Sequence, residues 1–264
     1  TYVGSGKLED IALTLESTGA NLLVCDSPLS PGQMAEISKR SKAEIWDWPL
    51  VIMKIFQARA HTAEAKLQVE LARARYELPH LRGFGFQMSR PGGGIATRGP
   101  GETEFERHRR KLERRVREIS KKLEVIRQRR SDQRKRRKRA GLRTVALVGY
   151  TNSGKTTLLR RLSGDPAMRG EDRLFATLDT FVRRVALPDG DLILVSDTVG
   201  FIRRLPPDLV AAFRATLEEV TEADLLVLVL DVSTPNVRES LETVEETLAA
   251  IGAEKIPRLV ALNK

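Results

Sequence analysis

Residues 149–156 read Gly149-Tyr150-Thr151-Asn152-Ser153-Gly154-Lys155-Thr156, two glycines set apart and followed by a lysine and a hydroxyl. That spacing suits chemistry on a phosphate chain. The glycines let the backbone turn tightly so that its N–H groups converge on an anion, Lys155 neutralises the outer phosphates, and the Thr156 hydroxyl binds Mg²⁺. The apolar run TVALV precedes the loop and TLLRRL follows it, so a strand delivers the loop and a helix containing Thr157 receives it.

Farther on, Asp197-Thr198-Val199-Gly200 closes the apolar run LILVS, where a strand end would bring Asp197 beside the metal. Gly200 would offer its amide to the terminal phosphate, and loss of that phosphate would release the segment. Between the two motifs, Phe175-Ala176-Thr177-Leu178-Asp179 lies in a loop of a length to close over the nucleotide, with Thr177 as a second hydroxyl ligand to Mg²⁺. Lys155, Thr177 and Gly200 are thus the expected catalytic set. The last residues, Leu262-Asn263-Lys264, follow an apolar run and match the first half of the guanine-reading N-K-x-D pattern. Guanine specificity is inferred from that half alone, and the nucleotide-binding domain is expected to be incomplete, its sheet lacking a last strand and helix.

These residues need a scaffold, and residues 142–264 supply one. TVALVG, LILVSD, LLVLVLDV and RLVALN are buried-type strands, and the segments between them read as helices, the pattern of a mostly parallel sheet covered on both faces. Residues 1–48 read as a smaller α/β unit: a helix in KLEDIALTLESTG with Gly19 as its C-cap, a strand in NLLVCD, a helix from Pro31 and a strand in EIWDW. Gly4-Ser5-Gly6-Lys7 is too short for a second phosphate loop and reads as a turn.

Residues 49–141 form the middle part. One long helix is expected from the spacing of Phe56, Ala60, Ala63, Leu67, Leu71, Ala74, Leu78 and Leu81, kinked or ended near Pro79. A second is expected from Phe105, Leu112, Val116, Ile119, Leu123 and Ile126. Each apolar line is narrow, like a coiled-coil seam, so the two bury each other as an antiparallel hairpin. Its tip is residues 82–102, RGFGFQMSRPGGGIATRGPGE, with seven glycines, two prolines and no hydrophobic period, expected to be neither helix nor strand. Open amides together with Arg82, Arg90 and Arg98 suit a nucleotide loop, a linker or contact with a larger polyanion.

Charge narrows the partner. The chain of 264 residues carries a formal net charge of +10. Residues 142–264 hold 15 Lys/Arg and 18 Asp/Glu, whereas residues 102–141 hold 18 basic and 7 acidic residues. The surplus sits in the second hairpin helix and thickens toward its end, where Arg134, Arg136, Arg137 and Arg139 cluster. Such a one-signed block repels itself without a polyanion, so RNA or DNA contact is expected. No apolar run approaches the length of a membrane helix. The single cysteine, Cys25, excludes an intramolecular disulfide and fits a reducing compartment. The chain begins with Thr1 rather than Met, so a targeting segment ahead of it is not visible.

Together, KLQVELARARYELPHLRG, PGGGIATRGPGETEFE, GYTNSGKTTL, LFATLD, DTVGFIRRLP and FRATLEE resemble the HflX-type GTPases of the Obg–HflX branch of translational GTPases, over essentially the whole chain. The resemblance implies GTP as substrate, Mg²⁺ as cofactor, and a monomeric, cytoplasmic, ribosome-associated protein. Such a protein joins the large subunit, brings the hairpin tip near the peptidyl-transferase centre, and splits stalled or idle ribosomes. In related GTPases an Asn at the place of Asn152 helps hold K⁺; here Asn152 either does so or only braces the loop. Two positions depart from the pattern: Phe201 stands where many GTPases orient water with glutamine, and Thr180 stands where the family has proline. The rival readings are a P-loop ATPase remodelling free structured RNA, and a non-enzymatic RNA binder. Intact Lys155, Thr156 and Asp197 argue against the second of these.

Overall fold

The computed structural model describes residues 4–41, 43–88, 100–165, 178, 181–202 and 214–264. The chain forms two compact units, Thr1–Ile55 with Glu70–Lys122, and Phe56–Val69 with Leu123–Lys264.

The first unit opens with α1 (Ser5–Thr18), β1 (Leu22–Val24), α2 (Pro31–Ser41), β2 (Glu44–Trp46) and α3 (Trp48–Arg59). Its first helix starts at Ser5 with Gly4 as N-cap, so the GSGK stretch read as a turn is the opening of a helix. Gly19 does end that helix, in a left-handed conformation with φ 66°. Strands β1 and β2 pair in parallel, which needs a crossover, and α2 provides it. Leu8, Cys25, Leu29, Ile37 and Ile45 form the core of this part.

The expected first hairpin helix is two helices. α3 ends at Arg59, and α4 (Ala63–Met88) begins after Thr62, whose Oγ1 accepts the Ala65 N–H at 3.1 Å. This N-cap is a local signal that the apolar spacing overrode. Pro79 does not end α4, which runs through it and through Gly83 and Gly85 to Met88. Packing of the helix outweighs the missing hydrogen bond, a loss of about 3 kcal/mol in an unsupported helix. α5 (Pro100–Arg139) also starts inside the expected tip. Residues 82–88 and 100–102 of the expected irregular tip are therefore helical, and residues 89–99 lie outside the described ones. The narrow seam is likewise corrected on α4: Ala63 is exposed, while Ala65, Val69, Ala72 and Tyr76 are buried along with Leu71 and Ala74. On α5, Ile119 is fully buried and Leu112, Val116, Leu123 and Ile126 are half-buried, while the Phe105 side chain is not described. Arg115 grips Glu70 with two hydrogen bonds (2.6 and 2.9 Å), and Arg130 meets Glu64 at 2.7 Å. The two pairings run in opposite order along α4 and α5, as an antiparallel pair requires. No described helix is long and apolar enough to cross a membrane.

The second unit contains β3 (Arg143–Val148), α6 (Lys155–Ser163), β4 (Phe181–Ala186), β5 (Leu192–Asp197), α7 (Arg214–Thr221), β6 (Leu225–Asp231), α8 (Val237–Ala250) and β7 (Arg258–Asn263). The sheet order is β4-β5-β3-β6-β7, parallel except for β4. The four expected strands are present. The fifth, β4, was hidden in FVRRVA, whose two arginines break the apolar run; on this antiparallel edge Arg184 is exposed and Arg183 is paired with Asp165 at 2.9 Å. Side chains alternate between faces. Ala146, Val148, Leu226 and Leu228 join Phe201, α7 and α8 on one face, while Val145, Leu147 and Val195 pack on Leu159 of α6 on the other.

A candidate phosphate and metal site at the ends of β3 and β5

The loop after β3 needs its glycines. At Gly149, φ is 153° and an added Cβ would run into the Val229 carbonyl oxygen of β6. At Gly154, φ is 96° and a Cβ would collide with Asn263 Nδ2. Asn152 takes φ 62°, a left-handed conformation that asparagine adopts more readily than most residues. The chain then enters α6 at Lys155, aiming the first turn of that helix back across the loop.

Sheet register brings in the second motif. Leu147 pairs with Asp197, so β3 and β5 end side by side. Asp197 is fully buried, and the Thr156 hydroxyl donates to its Oδ2 at 2.6 Å. Buried Thr198 donates to the Leu147 carbonyl at 2.6 Å, pinning the turn that leaves β5. Gly200 lies close over the loop: a Cβ there would be 2.7 Å from Thr151 Cα and 3.0 Å from Lys155 Nζ. Phe201 N–H donates to the Gly149 carbonyl at 3.0 Å, and its own carbonyl accepts the Thr151 N–H at 2.9 Å. The Phe201 ring is turned into the core with Leu217 and Val220, away from solvent.

Lys155 is only 6% exposed and donates to the carbonyls of Gly149 (3.2 Å) and Tyr150 (2.8 Å). Burial lowers its pKa to about 8, against the pull of nearby Asp197 in the other direction. At the far side of the loop, Asn263 Nδ2 donates to Ser153 O at 2.8 Å and Lys264 Nζ to Asn152 O at 2.7 Å. Lys264 also pairs with Asp231 at 2.9 Å. Burial pushes the Asp231 carboxyl up, but hydrogen bonds from Ser233 and Lys264 leave it lowered. A cavity of about 330 Å³ beside the loop is lined by Tyr150, Asn152, Ser153, Asp231 and Glu239, among others.

A hydroxyl and a carboxylate oxygen in contact, next to a buried lysine and a cradle that any Cβ would fill, fit a magnesium–phosphate group. Both donors are hard oxygens, the ligand type that Mg²⁺ takes. The structure therefore brings together the loop from Gly149 to Thr156, Asp197, Gly200, Asn263 and Lys264. Thr157 is exposed on α6. Thr177, Arg90 and Arg98 lie outside the described residues, and the Arg82 side chain is not described either.

The basic cluster divides. Arg136 and Arg139 are exposed and Arg137 is half-buried, whereas Arg134 is 18% exposed and held by Glu218 (3.2 Å) and Glu219 (3.7 Å) of α7. Sequence reasoning missed these two glutamates and also Asp231. A carboxylate closing the strand LLVLVLD was the available signal for the last.

Residues 1–57 match the family described as GTP-binding GTPase N-terminal, residues 59–137 the GTP-binding GTPase Middle Region, and residues 144–264 the 50S ribosome-binding GTPase family. The chain is 47% identical over 263 residues to GTPase HflX of Caldanaerobacter subterraneus subsp. tengcongensis, covering 100% of this chain and 61% of that relative. It is 43% identical over 263 residues to GTPase HflX of Escherichia coli (strain K12), covering 100% of this chain and 62% of that one. It thus spans less than two thirds of these curated relatives. Among solved structures, SsGBP in complex with GDP is 32% identical and covers 99% of this chain and 70% of that chain, with a TM-score of 0.50. With three consecutive matches along its length and the phosphate loop folded as that assignment requires, the chain belongs to the HflX GTPase family.

Proposed function

We propose that this chain binds GTP with Mg²⁺, hydrolyses it to GDP and phosphate, and binds the large ribosomal subunit in a nucleotide-dependent way. The observation that carries the nucleotide half is the meeting of Thr156 with Asp197 beside buried Lys155. Thr156 and Asp197 would hold the metal, with Thr177 assigned as a further ligand on its place in sequence alone. Bound there, Mg²⁺ would neutralise charge building up on the phosphate oxygens. The loop amides from Tyr150 to Thr157 and the Lys155 ammonium would bind and orient the phosphates, and Gly200 would report on the terminal one. Asn263 and Lys264 would place the guanine side of the pocket. Asn152 is the candidate to hold K⁺. With its ring buried, Phe201 would not position the attacking water, so unaided hydrolysis would be slow.

The ribosome half rests on the family description and on the exposed cations of α5, among them Arg136 and Arg139, which suit rRNA phosphates. Arg82, Arg90 and Arg98 of the hairpin tip would meet rRNA near the peptidyl-transferase centre, and splitting of stalled or idle ribosomes, followed by release on hydrolysis, is the proposed outcome. Co-sedimentation with large subunits tests it: the chain should pellet with a non-hydrolysable GTP analogue and stay in solution with GDP. Pelleting that ignores the nucleotide would contradict the reading, and a preference for ATP would favour a factor acting on free RNA.

A further inference from the structure

The FRATLEE segment ends in two glutamates, and neither belongs to the phosphate site. Both lie on α7 and both face α5. Glu218 pairs with Arg127 and, at 3.2 Å, with Arg134; Glu219 lies 3.7 Å from Arg134. Their side chains are 13% and 12% exposed, well withdrawn from water for a surface helix. Arg127, Arg130 and Arg134 recur at helical spacing and so share one face of α5, and Arg130 is itself held by Glu64 at 2.7 Å. One face of the basic helix is thus occupied by carboxylates, while Lys135, Arg136, Lys138 and Arg139 are exposed.

The opposite face of α7 leads to the nucleotide loop. Leu217 and Val220, which flank the two glutamates in sequence, pack in one cluster with Phe201. Phe201 in turn exchanges backbone hydrogen bonds with Gly149 and Thr151. An unbroken series of contacts therefore runs from the phosphate loop through Phe201 and α7 to the guanidinium groups of α5.

We propose that Glu218 and Glu219 are a clamp that couples the nucleotide state to RNA binding by α5. This rests on the reading of α5 as an RNA-binding helix. RNA phosphates and the two glutamates compete for Arg127 and Arg134, since a guanidinium cannot serve both fully. RNA seated on the exposed cations draws those arginines away and frees α7, which shifts Phe201 against the loop. A change at the loop that moves Phe201 loosens the clamp in return. By linkage, whatever factor RNA applies to the preference for triphosphate over diphosphate, the triphosphate applies to RNA affinity.

The test uses the full chain, a fluorescent non-hydrolysable GTP analogue, fluorescent GDP, and a single-stranded polyuridylate RNA at fixed low salt. In the wild type, RNA should change the ratio of the two nucleotide affinities about fivefold or more, the lower range of known couplings. In Glu218→Gln/Glu219→Gln, RNA should still bind, as tightly or tighter, while the change of ratio falls below about twofold. Arg127→Gln/Arg134→Gln breaks the same contacts from the other helix and should lose the change as well. RNA that binds the wild type without changing the ratio, or glutamine variants that keep the full change, would overturn the clamp. Failure of RNA to bind the wild type at all would contradict the RNA reading of α5, and the clamp with it.

Discussion

The hydroxyl of Thr156 reaches the carboxylate of Asp197 at 2.6 Å, although the two residues lie 41 positions apart in the chain. One stands at the start of α6 and the other at the end of β5. The contact exists because β3 and β5 are neighbours in register, with Leu147 opposite Asp197. Asp197→Asn keeps size and shape but removes the charge that a divalent cation needs. GTP-analogue affinity in Mg²⁺ should fall at least about tenfold, whereas affinity in excess EDTA should change little. Equal losses in both conditions would mean that the carboxylate only braces the loop.

Lys155 gives a prediction of opposite sign for binding and stability. Its lowered pKa reports that burial costs more than Asp197 returns. Lys155→Met should abolish tight triphosphate binding and yet raise the melting temperature of the nucleotide-free chain, by about 2–4 °C for each kcal/mol relieved. A variant that binds the GTP analogue normally would remove Lys155 from the phosphate site. A variant that melts lower would show that its bonds to the Gly149 and Tyr150 carbonyls outweigh the burial of its charge.

Gly149→Ala should be badly tolerated for a reason visible in the backbone. The new methyl would meet the Val229 carbonyl oxygen of a central strand, which has no freedom to retreat. A loss of about 2–4 kcal/mol in denaturant unfolding is expected, as for other overpacked or strained core sites. By contrast, Gly164→Ala, at the open C-cap of α6 with nothing within 4 Å of a Cβ, carries only the strain of φ 66°. It should cost about 1 kcal/mol. Similar losses at both positions would contradict this contrast.

Much of this was legible from residue order. The phosphate loop announced itself because its glycines, lysine and threonine are adjacent in sequence, and Asp197 because it closes an apolar strand. β4 was not legible, since Arg183 and Arg184 interrupt FVRRVA and only an edge position makes them tolerable. The break between α3 and α4 was missed because the apolar spacing runs straight across Thr62, and one hydroxyl cap decides there. The pairing of Arg134 with Glu218 was out of reach for another reason. A run of arginines looks alike from one residue to the next, and only the position of α7 separates the face that is neutralised from the face that is free.

The first unit carries a buried polar contact that tests its packing. Asp47 is fully buried and accepts hydrogen bonds from Leu29 N–H (3.0 Å), Leu50 N–H (3.1 Å) and the Tyr76 hydroxyl (2.8 Å). Burial, and then Asp47 itself, push the Tyr76 hydroxyl far above its ordinary pKa, so it remains a donor at any physiological pH. Tyr76→Phe should cost about 1–2 kcal/mol, the usual price of one buried hydrogen bond whose acceptor is left short. Asp47→Ala should cost more, because it also strands two backbone donors. In a double-mutant cycle the two losses should be less than additive, and full additivity would show that the pair does not interact in solution.

The proposal that this chain is a ribosome-dependent GTPase is tested most directly by the rate of GTP hydrolysis with and without purified large ribosomal subunits. The rate should be measured in KCl and in NaCl at equal ionic strength. Unaided hydrolysis should be slow, since Phe201 is buried and offers no group to a water. Large subunits should raise it at least about tenfold, by supplying or ordering stabilising charge around the phosphates. A further gain in KCl over NaCl would place K⁺ at Asn152, and equal rates would leave Asn152 as a brace for the loop. A hydrolysis rate that does not respond to large subunits in either salt would contradict the account.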